Sequence, residues 1–533
     1  MASLQIKHCS RDWASPQPQT AIAYWIHRLS TMQFTPKSQA KTPLLDAIRQ
    51  YVDLPHAAFY TPGHKQGKGI SPSLSELLGA AVFRADLSEL PGLDNLHAPS
   101  GAIQEAQDLA AEAFGAEATW FLANGSTSGI MAAILATCGT GDKIILPRNI
   151  HQCAIAGLIL SGATPIFISP EYDPALDITG SIVPAAVAAA LEKHPDAKAV
   201  MMVYPTYNGV CGDIGAIARL VHQHGIPLLV DEAHGAHFQF HPNLPPTALS
   251  GGADLTVQST HKVLGALTQA AMLHVQGGRI DRERLSKTLR LVQSSSPSYL
   301  LLASLDAARQ QMALFGEKLM GKTLALADAA RSRIAQIPGL SVLENLKSSP
   351  GFTNLDRTRL TVNVSAWGIS GFEVDEQLAA LGVLAELPSL QNITSIVSLG
   401  NIPKDIDQLV TSLTIISQGQ DPQAKPNPWQ DIFQQWQAEI LNVHPSSFVL
   451  QPAISPREAF FAPTIALPLE KAIDCISAEL VCPYPPGIPV LMPGEEIAPA
   501  AVDYLRQIVT LGGSITGCSD PSIQTLKVVQ INQ

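Results

Sequence analysis

The sequence predicts an α/β protein built on a largely parallel sheet with helices on both faces, and three observations carry this. Short continuous apolar runs recur over the first 260 residues. Most are separated by segments of helical pattern, and Gly, Pro, Asn and Ser mark the turns between them. Of 533 residues 46% are apolar and only 15% charged, against roughly 25% charged in an average soluble protein. Much of the chain must therefore be buried, and part of its surface is expected to be covered by a second subunit. At roughly 100–200 residues per domain, about two to four domains are expected.

Residues 1–45 hold one acid, Asp12, against Lys7, Arg11, Arg28, Lys37 and Lys41. They lack the apolar stretch of a secretory signal. Residues 1–41 are read as an N-terminal arm, with a targeting segment or a start at Met32 as alternatives. A large domain is expected over residues 42–350. Leu44–Val52 has the spacing of an amphipathic helix, Tyr60–Gly69 is a loop, and a helix is expected near Ile103–Phe114. A strand at Thr119–Ala123 leads into Asn124-Gly-Ser-Thr-Ser-Gly129, which opens a small-residue helix running to Thr137. Buried strands follow at Lys143–Leu146, Pro165–Ser169, Ala197–Val203, Pro227–Val230 and Leu255–Gln258. The most membrane-like stretch, Cys153–Ser169, is broken by Gly157, Ser161, Gly162 and Pro165, and reads as a buried helix followed by a buried strand. A long helix (Tyr299–Ile337) precedes a smaller α+β domain, residues 351–533, whose first strand is Arg359–Ala366. Asp421–Pro428 is a polar loop, and the proline-dense run Pro483–Glu495 is a rigid extended segment.

The net charge is −11 with a pI near 5.7 and mean hydropathy +0.15. No Lys/Arg run is dense enough to track a phosphate backbone, so neither nucleic acid nor membrane is expected as a partner. The seven cysteines are dispersed, with no CxxC pair. That argues for reduced thiols in the cytoplasm and against a zinc site.

Three features fall at the carboxyl ends of strands, where open parallel sheets bind ligands. Asn124-Gly-Ser-Thr-Ser-Gly129 starts a helix, and its free N–H groups with the Ser126 and Thr127 hydroxyls suit a phosphate, although alone it could be a simple cap. Asp231, in Asp231-Glu-Ala-His-Gly-Ala-His237, leaves the strand Ile226–Val230 and could hold a proton on a heterocyclic nitrogen, or merely cap a turn. His234 and His237 have metal-ligand spacing but no evident third ligand. Lys262, in Gln258-Ser-Thr-His-Lys-Val-Leu-Gly265, follows an apolar strand; a buried lysine has a lowered pKa or a covalent partner, whereas an isolated one is ordinarily on the surface. Phosphate site, carboxylate and lysine in this order are what pyridoxal 5'-phosphate requires.

The set Thr61-Pro-Gly-His-Lys65, Leu93-Asp-Asn-Leu-His97, Asn124-Gly-Ser-Thr-Ser128, Arg148-Asn-Ile-His151, Asp231–His237, Ser259-Thr-His-Lys262, Tyr484-Pro-Pro-Gly-Ile-Pro489 and Pro493-Gly-Glu495 resembles the ornithine/lysine/arginine decarboxylases. The form it resembles is the compact bacterial one, over about Thr42 to Glu495. The resemblance implies an aspartate-aminotransferase-like large domain with a mostly parallel seven-stranded sheet. It implies a pyridoxal phosphate enzyme that decarboxylates arginine, lysine or ornithine for polyamine synthesis, with an active site completed in a homodimer. Carried over by residue, Lys262 would form the Schiff base and Asp231 contact the ring nitrogen. His151 would stack on one ring face and Ala233 pack on the other, with Ser126, Thr127, Ser259 and His261 around the phosphate. Thr206 and His234 would lie near the ring oxygen or the substrate carboxylate, and Glu495 is the candidate for the distal substrate charge. Two alternatives stay open: another enzyme of this fold, such as an aldolase or an aminotransferase, which would need an arginine to grip the α-carboxylate although neither Arg359 nor Arg457 lies in a recognisable motif of that kind, and a catalytically silent regulatory homologue.

Overall fold

A computed structural model describes residues 38–173, 175–344, 349–420, 449–450, 452–484, 489–510 and 513–530. The expectations for residues 1–37, for the loop Asp421–Pro428 and for Pro485–Ile488 of the proline-dense run lie outside the described residues.

After helix α1 (Pro43–Asp53) and helix α2 (Ala102–Phe114), strands and helices alternate as the sequence predicts. They are β1 (Ala118–Leu122), α3 (Gly125–Thr137), β2 (Lys143–Pro147), α4 (Gln152–Ser161), β3 (Thr164–Ile168), α5 (Pro184–Lys193), β4 (Ala199–Val203), α6 (Ile214–Gln223), β5 (Leu228–Asp231), β6 (Leu255–Gln258) and β7 (Ala271–Val275). The sheet order is β1-β7-β6-β5-β4-β2-β3. Pairs from β6 to β3 are parallel, while β7 runs antiparallel to both neighbours. A two-residue strand, Val449–Leu450, adds an antiparallel edge beside β3. The fold is thus a mostly parallel seven-stranded sheet with one short extra edge.

Both faces are buried, which is why the strands read as unbroken apolar runs rather than as alternating ones. Ile145, Val200, Met202, Leu228 and Val230 point into one core; Ile144, Leu146, Ala199, Met201 and Leu229 point into the other. Between β6 and β7 stands only the single helical turn Thr260–Val263, which carries Lys262. Only 12 residues separate Gln258 from Ala271, a length that suits an antiparallel return and is short for a parallel one.

Helix α7 (Arg282–Val292) covers the second face, and α8 (Tyr299–Ile334) spans 36 residues, about 54 Å at 1.5 Å per residue. Its start (Tyr299, Leu302, Leu305) lies in the first core and its end (Ala327, Ala330, Ile334) in a third. That third core is covered by the antiparallel sheet β8 (Ser341–Val342), β9 (Arg359–Asn363), β10 (Leu387–Pro388) and β11 (Asn392–Ile396), in the order β8-β9-β11-β10, with helices α9 (Gly371–Ala380) and α10 (Pro403–Gln418). Residues 351–533, expected to form one small domain, have most of their buried apolar side chains in two clusters with no shared member, while Met492 joins the second core of the large sheet and Phe352 and Leu355 pack with Ile178 and Val210. The second of the two clusters runs from Leu469 to Val528 and includes α12 (Pro499–Thr510); it follows the short helix α11 (Pro456–Phe461).

Helix α3 approaches the sheet closely because Gly129 has no side chain: a Cβ there would lie 2.7 Å from both Leu122 Cδ1 and Val257 Cγ1. Gly129→Ala should lower stability by about 1–3 kcal/mol through overpacking. Gly278→Ala, where a Cβ would meet nothing within 4 Å, should change it by about 0.5 kcal/mol or less. Thermal unfolding of the two variants checks this.

Candidate active site

The parallel register brings the sequence motifs together. Asp231 ends β5 opposite Val257 of β6 on one side and Val203 of β4 on the other. Ser259–Lys262 and Tyr204–Tyr207 therefore emerge on either side of it. Helices α3 and α4 begin at the same edge, after β1 and β2.

Lys262 Nζ lies 3.0 Å from His234 Nε2 and 5.7 Å from the centre of the Tyr207 ring, which itself packs 4.6 Å from the His234 ring. Burial pushes the Lys262 pKa down; Asp231 opposes that shift and Arg359 reinforces it. Asp231 is buried, its Oδ1 accepts from the Ala233 N–H at 3.1 Å, and burial raises its pKa against the pull of His151 and Lys262. His151 caps α4, its Nδ1 accepting from the Cys153 N–H at 3.2 Å. Burial lowers its pKa and Asp231 partly restores it. His234 is held well below the usual histidine range by burial first and then by Lys262 and Arg359, so it is neutral at physiological pH.

One flank of the site suits an anion. Helix α3 starts without a side-chain cap, which leaves its first N–H groups and dipole available. Ser259 Oγ donates to Ser126 Oγ at 2.7 Å, and His261 Nδ1 lies 3.0 Å from Ala270 O. Thr127 is exposed, and with His151 it lines a cleft of about 620 Å³ whose far wall includes Glu479, Pro493 and Lys527.

Ser126, Thr127, His151, Asp231, Ala233, His234, Ser259, His261 and Lys262 thus gather at one end of the sheet. Thr206 is there too, but its hydroxyl oxygen accepts from the Val210 N–H at 3.1 Å and so shapes the turn that carries Tyr207. Glu495, the candidate for the distal substrate charge, is paired with an arginine of its own chain. Its Oε2 accepts from Arg148 Nη2 at 2.8 Å and from the Met492 N–H at 2.9 Å, so its charge ties the proline-dense segment to the residue after β2. The sequence did not reveal this because Arg148 is 347 positions away. His234 and His237 do not converge on a common point: the first faces Lys262, and the second lies 3.1 Å from Asp356 Oδ2. Arg457 donates to Ile159 O and Leu160 O, away from the strand ends.

Tyr207 escaped sequence reasoning as a member of the site, and Arg359 entered it only under the aminotransferase alternative. Tyr207 follows the carboxyl end of β4, a position that would have flagged it had the β4–β5 pairing been known. Arg359 is buried at the start of β9, its Nη2 3.5 Å from His234 O. A charged residue opening a mostly apolar strand was the signal for it.

Comparison with known proteins agrees with this geometry. A family model described as the Orn/Lys/Arg decarboxylase major domain matches residues 42–353, and one described as the C-terminal domain of that family matches residues 435–527. The chain is 39% identical to an arginine decarboxylase of Bacillus subtilis, over 92% of this chain and 99% of that protein. It is 38% identical to an arginine decarboxylase of Halalkalibacterium halodurans, over 92% and 98% respectively. In fold it is similar to the crystal structure of a Francisella novicida lysine decarboxylase, with a TM-score of 0.77, 22% identity, and coverage of 97% of this chain and 84% of that one.

Behind Asp231 a fully buried chain of hydrogen bonds crosses the sheet. Thr119 Oγ1 is 2.7 Å from His274 Nδ1, His274 Nε2 is 3.2 Å from Gln258 Oε1, and Gln258 Nε2 donates to Glu232 Oε2 at 2.9 Å. Glu232 also accepts from Thr256 Oγ1 and from the Ala248 N–H, both at 2.8 Å. Burial pushes its pKa from 4.5 up to about 7. The folded state therefore holds this proton more tightly than the unfolded chain, and stability falls as pH rises from 4.5 through about 7. Asp177, also pushed up to about 7 by burial, acts with the same sign. Glu232→Gln should therefore shrink, not abolish, the stability loss between about pH 5 and about pH 8, by on the order of 2 kcal/mol. Urea unfolding of the two proteins at both pH values measures it.

Proposed function

The chain belongs to the Orn/Lys/Arg decarboxylase family, and from that membership we propose that it decarboxylates arginine. It is a pyridoxal-phosphate-dependent lyase that converts a basic L-amino acid to the corresponding amine and CO₂. Arginine is chosen because relatives 38–40% identical over most of their length carry that activity in their names. The observation that carries the chemistry is the half-buried Lys262 amine, beside Asp231 at the end of the next strand and next to an uncapped helix start.

That donor set fits the cofactor. Lys262 is the group that would bond to it, Asp231 would hold a proton on its ring nitrogen, and His151 and Ala233 would flank the ring. Ser126, Thr127, Ser259, His261 and the α3 N-terminus would take the phosphate. Bound there, pyridoxal phosphate supplies an electron-withdrawing ring that accepts the electrons released as CO₂ departs. Lys262, its pKa lowered by burial, carries more of the neutral amine than an exposed lysine, which favours bond formation. The neutral His234 Nε2, 3.0 Å from Lys262 Nζ, can take or return a proton at that atom, and the reaction consumes one proton overall. Tyr207 limits the room around the Lys262 amine and keeps its neighbourhood poor in water. Arg359 has five N–H donors and, among the described residues, only long side-chain contacts, so it is placed to receive the α-carboxylate of the substrate.

The protein is proposed to act as a cytoplasmic homodimer whose amine product enters polyamine synthesis. Exposed large apolar side chains, among them Phe59, Leu77, Leu267 and Leu291, are consistent with a subunit contact. The six cysteines among the described residues are free thiols, which suits a reducing compartment. No helix among the described residues is long and apolar enough to cross a membrane.

Assay of CO₂ and amine release from arginine, lysine and ornithine tests the reading. Arginine should be turned over with the highest kcat/KM. Keto-acid formation without CO₂ would sink the decarboxylase assignment. Lys262→Ala should lower CO₂ release by about a thousandfold or more, and Asp231→Asn by about a hundredfold or more.

A further inference from the structure

Arg359 is fully buried among basic neighbours, Lys262 and His234, a setting in which a guanidinium needs an anion. Two carboxylates oppose its charge: Asp356, three residues earlier and 0% exposed, acts most strongly, and Glu386 less. Asp356 is hydrogen-bonded by Thr358 and lies within ion-pair distance of His237 and Arg359. Its Oδ1 accepts from the Thr358 N–H at 3.0 Å and from Thr358 Oγ1 at 2.6 Å, while its Oδ2 lies 3.1 Å from His237 Nε2 and 3.7 Å from Arg359 Nε. Burial alone would raise its pKa, but His237, Arg359 and Thr358 together outweigh that and lower it, so Asp356 is ionised.

The backbone is built around the same group. Asp356 N–H donates to Gly209 O at 2.8 Å, next to the pairing of Asn354 and Leu355 with Cys211 and Val210. Gly209 has φ +86°, and a Cβ there would lie 2.8 Å from Arg359 Cβ and 3.0 Å from Asp356 O. Only glycine lets the turn carrying Tyr207 come this close. Asp356 therefore joins the loop after β4, the His237 turn after β5 and the first residue of β9.

We propose that Asp356, clasped by His237, is a positioning residue: it aims the Arg359 guanidinium at the substrate α-carboxylate and so makes the site select the amino acid over its amine product. The inference rests on the reading of Arg359 as the carboxylate contact. The two contacts holding Arg359, 3.5 Å to His234 O and 3.7 Å to Asp356, are both long, so its remaining N–H donors are open to a carboxylate. The amine product has no carboxylate, gains nothing from Arg359, and leaves.

The test compares binding of arginine with binding of the amine made by its decarboxylation. Each is titrated into cofactor-loaded wild type, Asp356→Asn, His237→Gln and Arg359→Lys, and followed by the near-visible absorption of the cofactor. Asp356→Asn and Arg359→Lys should weaken arginine binding by about tenfold or more and leave amine binding unchanged within about twofold. KM should rise more than kcat falls. His237→Gln, which keeps the Asp356 charge, should show the same split in smaller measure, and it decides the matter should Asp356→Asn not fold. Parallel weakening of both ligands, or no change in either, overturns the proposal. Wild type that releases no CO₂ while the variants still show the split would sink the decarboxylase reading and leave the carboxylate subsite standing.

Discussion

Lys262 is a half-buried amine in the helical turn just past β6, with Arg359, His234 and His151 around it and the buried carboxylate of Asp231 beside it. A cluster so rich in basic groups is expensive to bury unless carboxylates are fixed at short range and some of the bases stay neutral. Both conditions are met by strand register. The β5–β6 pairing sets Asp231 beside the segment that carries Lys262, and the β4–β5 pairing sets the Tyr207 turn on the other side. Burial then keeps His234 neutral. The seven-stranded sheet with both faces covered is what makes this edge rigid, since neighbouring residues of each strand are locked into different cores.

Segments beyond the seven-stranded sheet reach the same edge. Helix α8 runs from the first core to the third, and β9 begins with Arg359 against the His234 carbonyl. On the opposite flank Arg148 holds Pro489 O, Val490 O and Glu495. That clasp fixes the C-terminal segment across the cleft from Thr127 and His151. A buried Arg–Glu pair of this kind adds little net stability, yet breaking it by removing one partner costs about 3–5 kcal/mol, so it works as a register device between distant parts of the chain.

Much of this was legible in the sequence because the determinants were local. Strands buried on both faces read as apolar runs, the α3 start as Asn-Gly-Ser-Thr-Ser-Gly, and Asp231 and Lys262 as polar residues just past such runs. Partners distant in sequence were not legible. Glu495 looked like a loop carboxylate free to meet a substrate because nothing nearby in the chain reveals Arg148. Arg359 looked like one arginine among several, since its value depends on Asp356 and His237 meeting it. Strand β7 was missed as an element because its direction is set by a short return loop. Composition also does not register how the apolar residues after 351 are shared among several cores.

The central claim is that Lys262, and no other lysine, is the amine this fold prepares for the cofactor. Borohydride reduction of the cofactor-loaded protein, followed by peptide mapping, tests it most directly. The account predicts one stoichiometric pyridoxyl adduct on the peptide containing Lys262. An adduct on another lysine, or no adduct in a protein that retains the cofactor, would contradict it.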